Sequence, residues 1–158
     1  MKKVIILMAV LAFGLFGFTR LSSAQHVHGA MSGGSMKMDT KEVLVDGTQV
    51  TFQVMSNDEH LKMLKDMKMK EDIEPSTTHN ITVILKDEKS QKDLTGATVT
   101  MKVVDPTGKD QIKTMKYDDM MKSYDAYFDL KEMGKYQVMV LLKMGDQKKT
   151  AGIYYEVK

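Results

Sequence analysis

From Glu42 onward the chain is written in short runs whose apolar residues alternate with polar ones. Val50, Phe52 and Val54 recur at period two, as do Ile81, Val83 and Leu85, then Val99, Met101 and Val103. Tyr124, Ala126, Phe128 and Leu130 follow, then Tyr136, Val138, Val140 and Leu142, and finally Ala151, Ile153, Tyr155 and Val157. Period two places all these side chains of a run on one face, so each run predicts a half-buried strand. Glu42–Val45 and Ile112–Tyr117 read as strands too. Asp46-Gly47, Asp105-Pro106-Thr107-Gly108 and Met144-Gly145-Asp146 supply turn chemistry between them. Seven to eight strands at intervals of roughly ten residues predict an all-β sandwich, two sheets meeting through their apolar faces.

One segment departs from this rhythm. Residues 57–70, NDEHLKMLKDMKMK, carry a helical pattern. Asn57 is a suitable N-cap, Asp58 and Glu59 suit the positive end of the helix, and Lys68 and Lys70 the negative end. Pro75 stops continuation. At about 100° per residue, Met63, Leu64 and Met67 fall within roughly 60° of His60, so His60 lies inside the apolar stripe.

The beginning of the chain reads as an export leader. Lys2 and Lys3 precede an apolar run from Val4 to Phe18, and Ser22-Ser23-Ala24 offers small residues for cleavage after Ala24. That run is shorter than the roughly 20 residues of a membrane span, so the mature protein is expected to be periplasmic or secreted and not membrane-spanning. No Cys follows it, which excludes a lipoprotein anchor. Residues 25–41 contain Gly29, Gly33 and Gly34 and no apolar periodicity, and read as a flexible tether. Residues 42–158 then form the domain. The 23 basic and 21 acidic residues are interleaved without a basic stripe, so nucleic acid is not an expected partner.

Composition adds the chemistry. The chain has no Cys but 16 Met and four His. Thioether sulfur is soft and imidazole borderline, a donor pair suited to Cu(I) more than to Cu(II) or to hard cations. These donors also survive where thiols would be oxidised to disulfides. His60, Met63 and Met67 share the helix face, and His79, just ahead of a strand, is the candidate to complete a three- or four-ligand site. The competing reading is that Met63, Leu64 and Met67 pack the helix onto a sheet with His60 hydrogen-bonded at its edge. His26, His28 and Met31 in the tether form a second, looser candidate for Cu(II) or Cu(I), to which Met36 and Met38 can add. Asp118, Asp119 and Asp125 lack the spacing and glycine of a calcium loop and read as a solvated turn. No HExxH, cysteine nucleophile, serine triad context or phosphate-cradling glycine loop is present, so no enzyme is expected.

Gly134-Lys135-Tyr136-Gln137-Val138 resembles the segment opening a late strand of immunoglobulin-like (Ig-like) domains, where a tyrosine hydroxyl ties down nearby backbone. Together with Thr78-His79-Asn80-Ile81-Thr82-Val83, Thr95-Gly96-Ala97-Thr98-Val99, Asp105-Pro106-Thr107-Gly108 and Thr150–Val157, it makes residues 78–158 similar to the YtkA-like family of small exported domains. CopC-type copper-resistance sandwiches are a more distant likeness. The resemblance implies an Ig-like β-sandwich in the cell envelope, associated with metal and particularly copper handling, and supplies no ligand positions. Two functions follow as expectations. One is copper binding or delivery, with an envelope protein giving or receiving the ion. The other is a non-catalytic interaction module with a Met-rich contact face.

Overall fold

The period-two runs become two antiparallel sheets. The computed structural model describes residues 37–70 and 72–158. Its elements are β1 (Met38–Val45), β2 (Thr48–Ser56), α1 (Asn57–Asp66), β3 (His79–Asp87), β4 (Thr98–Val104), β5 (Asp110–Thr114), β6 (Lys116–Asp118), β7 (Ser123–Phe128), β8 (Gly134–Met144) and β9 (Gln147–Val157). One sheet runs β1-β2-β3-β7-β6 and the other β5-β4-β8-β9. Val50, Phe52, Val54, Ile81, Val83 and Leu85 of the first meet Val99, Met101, Val103, Tyr136, Val138, Val140 and Leu142 of the second, each at most 2% exposed. Full burial of such a side chain contributes about 1.5–3 kcal/mol, and this inner layer holds the fold without disulfides. The architecture is the Ig-like β-sandwich with one short helix after its first strands.

The tyrosine corner is present. Tyr136 Oη accepts from the Glu132 backbone N–H and donates to the Glu132 carbonyl, both at 2.9 Å. Beside it Gly134 sits at φ +123°, and a Cβ there would lie 3.1 Å from Pro106 Cγ. The 105–108 turn forms as its residues predict. Asp105 Oδ1 accepts from the N–H of Thr107 and of Lys109 at 2.8 and 3.0 Å, and Gly108 takes φ +91°.

Four boundaries differ from the sequence reading. The run Ile112–Tyr117 is two strands: β5 pairs with β4, β6 pairs with β7, and the chain changes sheets at Met115. Met115 is the pivot because its N–H donates to Val99 O at 2.8 Å while its side chain, 5% exposed, enters the core. β1 begins at Met38, inside the stretch that composition marks as tether, because Met38–Lys41 pair with Phe52–Met55. The helix is capped by Ser56, whose side-chain oxygen accepts from Glu59 N at 3.2 Å. Asn57 instead donates through Nδ2 to Thr77 O (3.0 Å) and Thr77 Oγ1 (3.1 Å), fastening the helix start to the segment before β3. The helix stops at Asp66 because Lys68 adopts φ +57°. Met69 N–H then reaches Leu64 O at 2.8 Å, and Lys68 N–H reaches Lys65 O at 3.0 Å. That is a left-handed C-terminal cap built on Lys where Gly is usual.

Candidate metal site

Among the described residues, three buried apolar side chains stand outside the main core: Met55, Leu64 and Tyr127. They belong to the outer face of the five-stranded sheet. Val54, Ile81 and Phe128 point into the sandwich, so Met55, Asn80 and Tyr127, one step along each strand, point away from it. Strand register aligns them: Met38 is opposite Met55, Met55 opposite Asn80, and Asn80 opposite Tyr127. The helix leaves β2 immediately after this row and lays His60 and Leu64, each 4% exposed, onto the sheet. His60 Nδ1 is 3.0 Å from Tyr127 Oη, and the two rings tilt at 50° with centroids 5.5 Å apart. Asn80 Oδ1 accepts from Thr82 Oγ1 at 3.0 Å. The result is a small second core holding one imidazole, a phenol and a thioether, with Met38 and half-buried Met63 as further thioethers on the adjoining strand and on the helix.

His79 belongs to the other face. It shares the parity of Ile81, Val83 and Leu85, so it lies at the mouth of the sandwich interior, opposite Ser56 and Phe128. Its ring meets Tyr155 edge-on, with centroids 5.9 Å apart. Nδ1 lies 2.8 Å from Thr78 Oγ1, and that oxygen accepts from Leu130 N–H, also at 2.8 Å. Burial pushes the His79 pKa down, partly countered by the nearby Asp129 charge. The imidazole is thus held toward its neutral, metal-competent form.

The expected set His60, Met63, Met67 and His79 therefore does not converge. A strand that alternates sides cannot turn His79 toward a helix lying on the opposite face of its sheet. Met67 also leaves the stripe. With the helix ending at Asp66, it becomes the C-cap residue, 40% exposed. His60 and Met63 remain together on α1. His26, His28 and Met31 lie outside the described residues. Their attachment point does not: β1 starts at Met38 on the outer face, and Asp39 on the inner face acts electrostatically on Tyr155, whose pKa is raised first by burial and then by that charge. Both described histidines and the start of β1 thus occupy one pole of the sandwich.

Met38, which the sequence groups with Met36 as an addition to the tether candidate, stands instead in the first strand of the sheet, opposite Met55, a residue sequence reasoning did not single out. Met55 did carry a signal: it is apolar directly after Val54, out of phase with Val50, Phe52 and Val54, and so marks a strand end covered on both faces. In the β6–β7 turn, Asp118 Oδ1 accepts from Met121 N–H at 2.8 Å and Asp119 pairs with Lys122 at 2.7 Å. Met120 and Met121 are 75% and 42% exposed, as in a solvated turn. No three His, Asp or Glu residues among those described are grouped to hold a metal.

No family model matches the chain, and no curated protein matches it. Solved structures do. FetP from a uropathogenic Escherichia coli strain, expressed in the periplasm, superposes with a TM-score of 0.57 at 10% identity, covering 79% of this chain and 97% of that one. A copper-bound variant of FetP gives a TM-score of 0.56 at 10% identity, covering 76% and 97%. A DUF4426 family protein from Pseudomonas aeruginosa gives 0.54 at 15% identity, covering 75% and 94%. The likeness is one of fold. It places this sandwich among known ones and assigns no residue a role.

Proposed function

We propose that this is an exported, non-catalytic metal-binding protein that holds copper, as Cu(I), through Met and His side chains at the pole where β1 begins. One observation carries the reading. Met38 and Met55 project from the outer face of the five-stranded sheet, the face on which α1 carries His60 and Met63, and no three His, Asp or Glu side chains group there among the described residues. Neutral thioether and imidazole donors suit Cu(I) and leave the bound ion positively charged, so one ligand can be exchanged for a partner's at a time. The copper-bound state of FetP, a structural relative, is in keeping with this use of the scaffold. The export leader, the periplasmic location, the envelope partner and the YtkA-like kinship belong to the same proposal. The tether adds to it by covalent reach. Met31 is seven residues before Met38, so it can come no further than about 25 Å from the pole even fully extended.

A second reading has its own observation. Leu61 on α1 and Met67 at its C-cap are 44% and 40% exposed, and they suit an adaptable apolar contact face in a protein-interaction module. The two separate in one experiment. The protein, purified after export, is titrated with Cu(I) anaerobically against a colorimetric chelator. Stoichiometric withdrawal of copper from the chelator supports the metal reading. No withdrawal rejects it and leaves the interaction module.

A further inference from the structure

We infer that α1 is a lid that lifts from the outer face of the five-stranded sheet while the sandwich stays folded, and so controls access to the Met55 sulfur. The lid is a property of the chain alone. Its use as a gate to a metal ligand rests on the copper reading above.

Connectivity permits the movement. Ser56 and His79 are directly paired at the ends of β2 and β3, so the segment carrying α1 leaves the sheet and returns to it at one point. Asn57 closes that neck: its N–H donates to Thr78 O at 2.9 Å, and its Nδ2 donates to Thr77 O and Thr77 Oγ1. A segment whose two ends meet can lift without separating any pair of strands.

Little holds the helix down. Of the ten residues of α1, His60 and Leu64 are the buried ones. The connection beyond it is tied to β5 by the Glu74–Lys113 ion pair at 2.7 Å, but the Glu74 side chain is 51% exposed and the pair is weakened by water. Lys68 and Ser76 hold left-handed backbone, φ +57° and +63°, a conformation that costs a non-glycine residue energy and is relaxed on opening. Elements with few buried apolar anchors open locally, at lower free energy than the core.

What lies beneath gives the movement a consequence. Met55 projects from the outer face of β2, is 4% exposed and stands outside the main core. Among the described elements, α1 is the one packed on β2 and β3 from that side. Met101 is fully buried between the sheets and is reached only when the sandwich itself opens. The two sulfurs are thus shielded by different parts of the fold.

Oxidation of the metal-free protein by dilute hydrogen peroxide, read at each methionine by peptide mass spectrometry, tests the lid. Exposed Met120 is expected to react fastest, Met55 about tenfold or more slowly, and Met101 about tenfold or more slowly again. Leu64→Ala removes the helix's apolar anchor and is expected to speed Met55 oxidation about tenfold or more. Val138→Ala weakens only the sandwich, so it is expected to speed Met101 and leave Met55 unchanged. Low urea should do the same, because lifting a lid exposes little surface. If Met55 and Met101 react at one rate and respond alike to Val138→Ala and urea, the lid is overturned. It is also overturned if Leu64→Ala leaves Met55 unchanged, or if Met55 reacts as fast as Met120. Leu64→Ala should speed Cu(I) capture in proportion to Met55 oxidation, and an unchanged capture rate would overturn the gate. A protein that binds no Cu(I) would overturn the copper reading and leave the lid standing.

Discussion

The hydroxyl of Tyr127 is the smallest change that separates a packed helix from a metal-ready one. Tyr127→Phe keeps the ring that covers the outer face of the sheet and deletes only the oxygen lying 3.0 Å from His60 Nδ1. His60 and Tyr127 are 4% and 5% exposed, so water does not readily replace the lost partner. A neutral hydrogen bond contributes about 0.5–1.5 kcal/mol net, and a buried polar atom losing its partner costs about 1–3 kcal/mol. We therefore expect Tyr127→Phe to destabilise the domain by about 1–3 kcal/mol, a sizeable part of the 5–15 kcal/mol typical of a domain. Urea unfolding followed by circular dichroism reads this as a lower midpoint at unchanged slope. A loss below about 0.3 kcal/mol would refute the buried hydrogen bond. A cycle with His60→Gln isolates the pair, where coupled neighbours show interaction energies of about 0.5–3 kcal/mol. In the copper assay the same variant should bind Cu(I) about 10- to 100-fold more weakly, because the ring is no longer oriented. Lower stability with unchanged copper affinity would make His60 a packing residue only.

Two further perturbations address the frame and the other histidine. Gly134→Ala should cost about 1–3 kcal/mol for the disfavoured backbone conformation alone, with an added clash against Pro106; thermal unfolding checks it, and adding Pro106→Ala should relieve only the clash and leave the backbone cost. His79 has its pKa lowered from 6.5 by burial, so below that value the unfolded chain binds the proton more readily than the folded one. Its contribution is complete at pH values above 6.5 and is lost as pH falls from 6.5 toward the lower folded value, so His79→Gln should flatten the stability profile there; an unaltered profile would refute the burial argument.

The sandwich was legible because burial on one face imposes period two, and that period survives in every long strand. Tyr136 and its glycine announced the sheet corner for the same kind of reason, since a hydroxyl aimed at backbone and a positive φ leave few residue choices. The sheet switch at Met115 was not legible, because a core-facing Met looks the same inside one strand or between two. Nor was the helix end, where Lys68 takes the left-handed conformation that Gly would have signalled. The site was half legible. Helical geometry placed His60 on the buried stripe, but whether His79 faces it depends on which side of β3 is covered by the second sheet. Met38 and Met55 become neighbours only through strand register, a long-range fact that no local window contains.

The central claim is that sulfur and imidazole at the pole hold copper. X-ray absorption at the copper edge of the exported protein, loaded with one equivalent of Cu(I), tests it most directly. The account expects a scattering shell from more than one sulfur together with the outer pattern of an imidazole. Copper surrounded only by nitrogen and oxygen, or copper that does not stay with the protein, would contradict it.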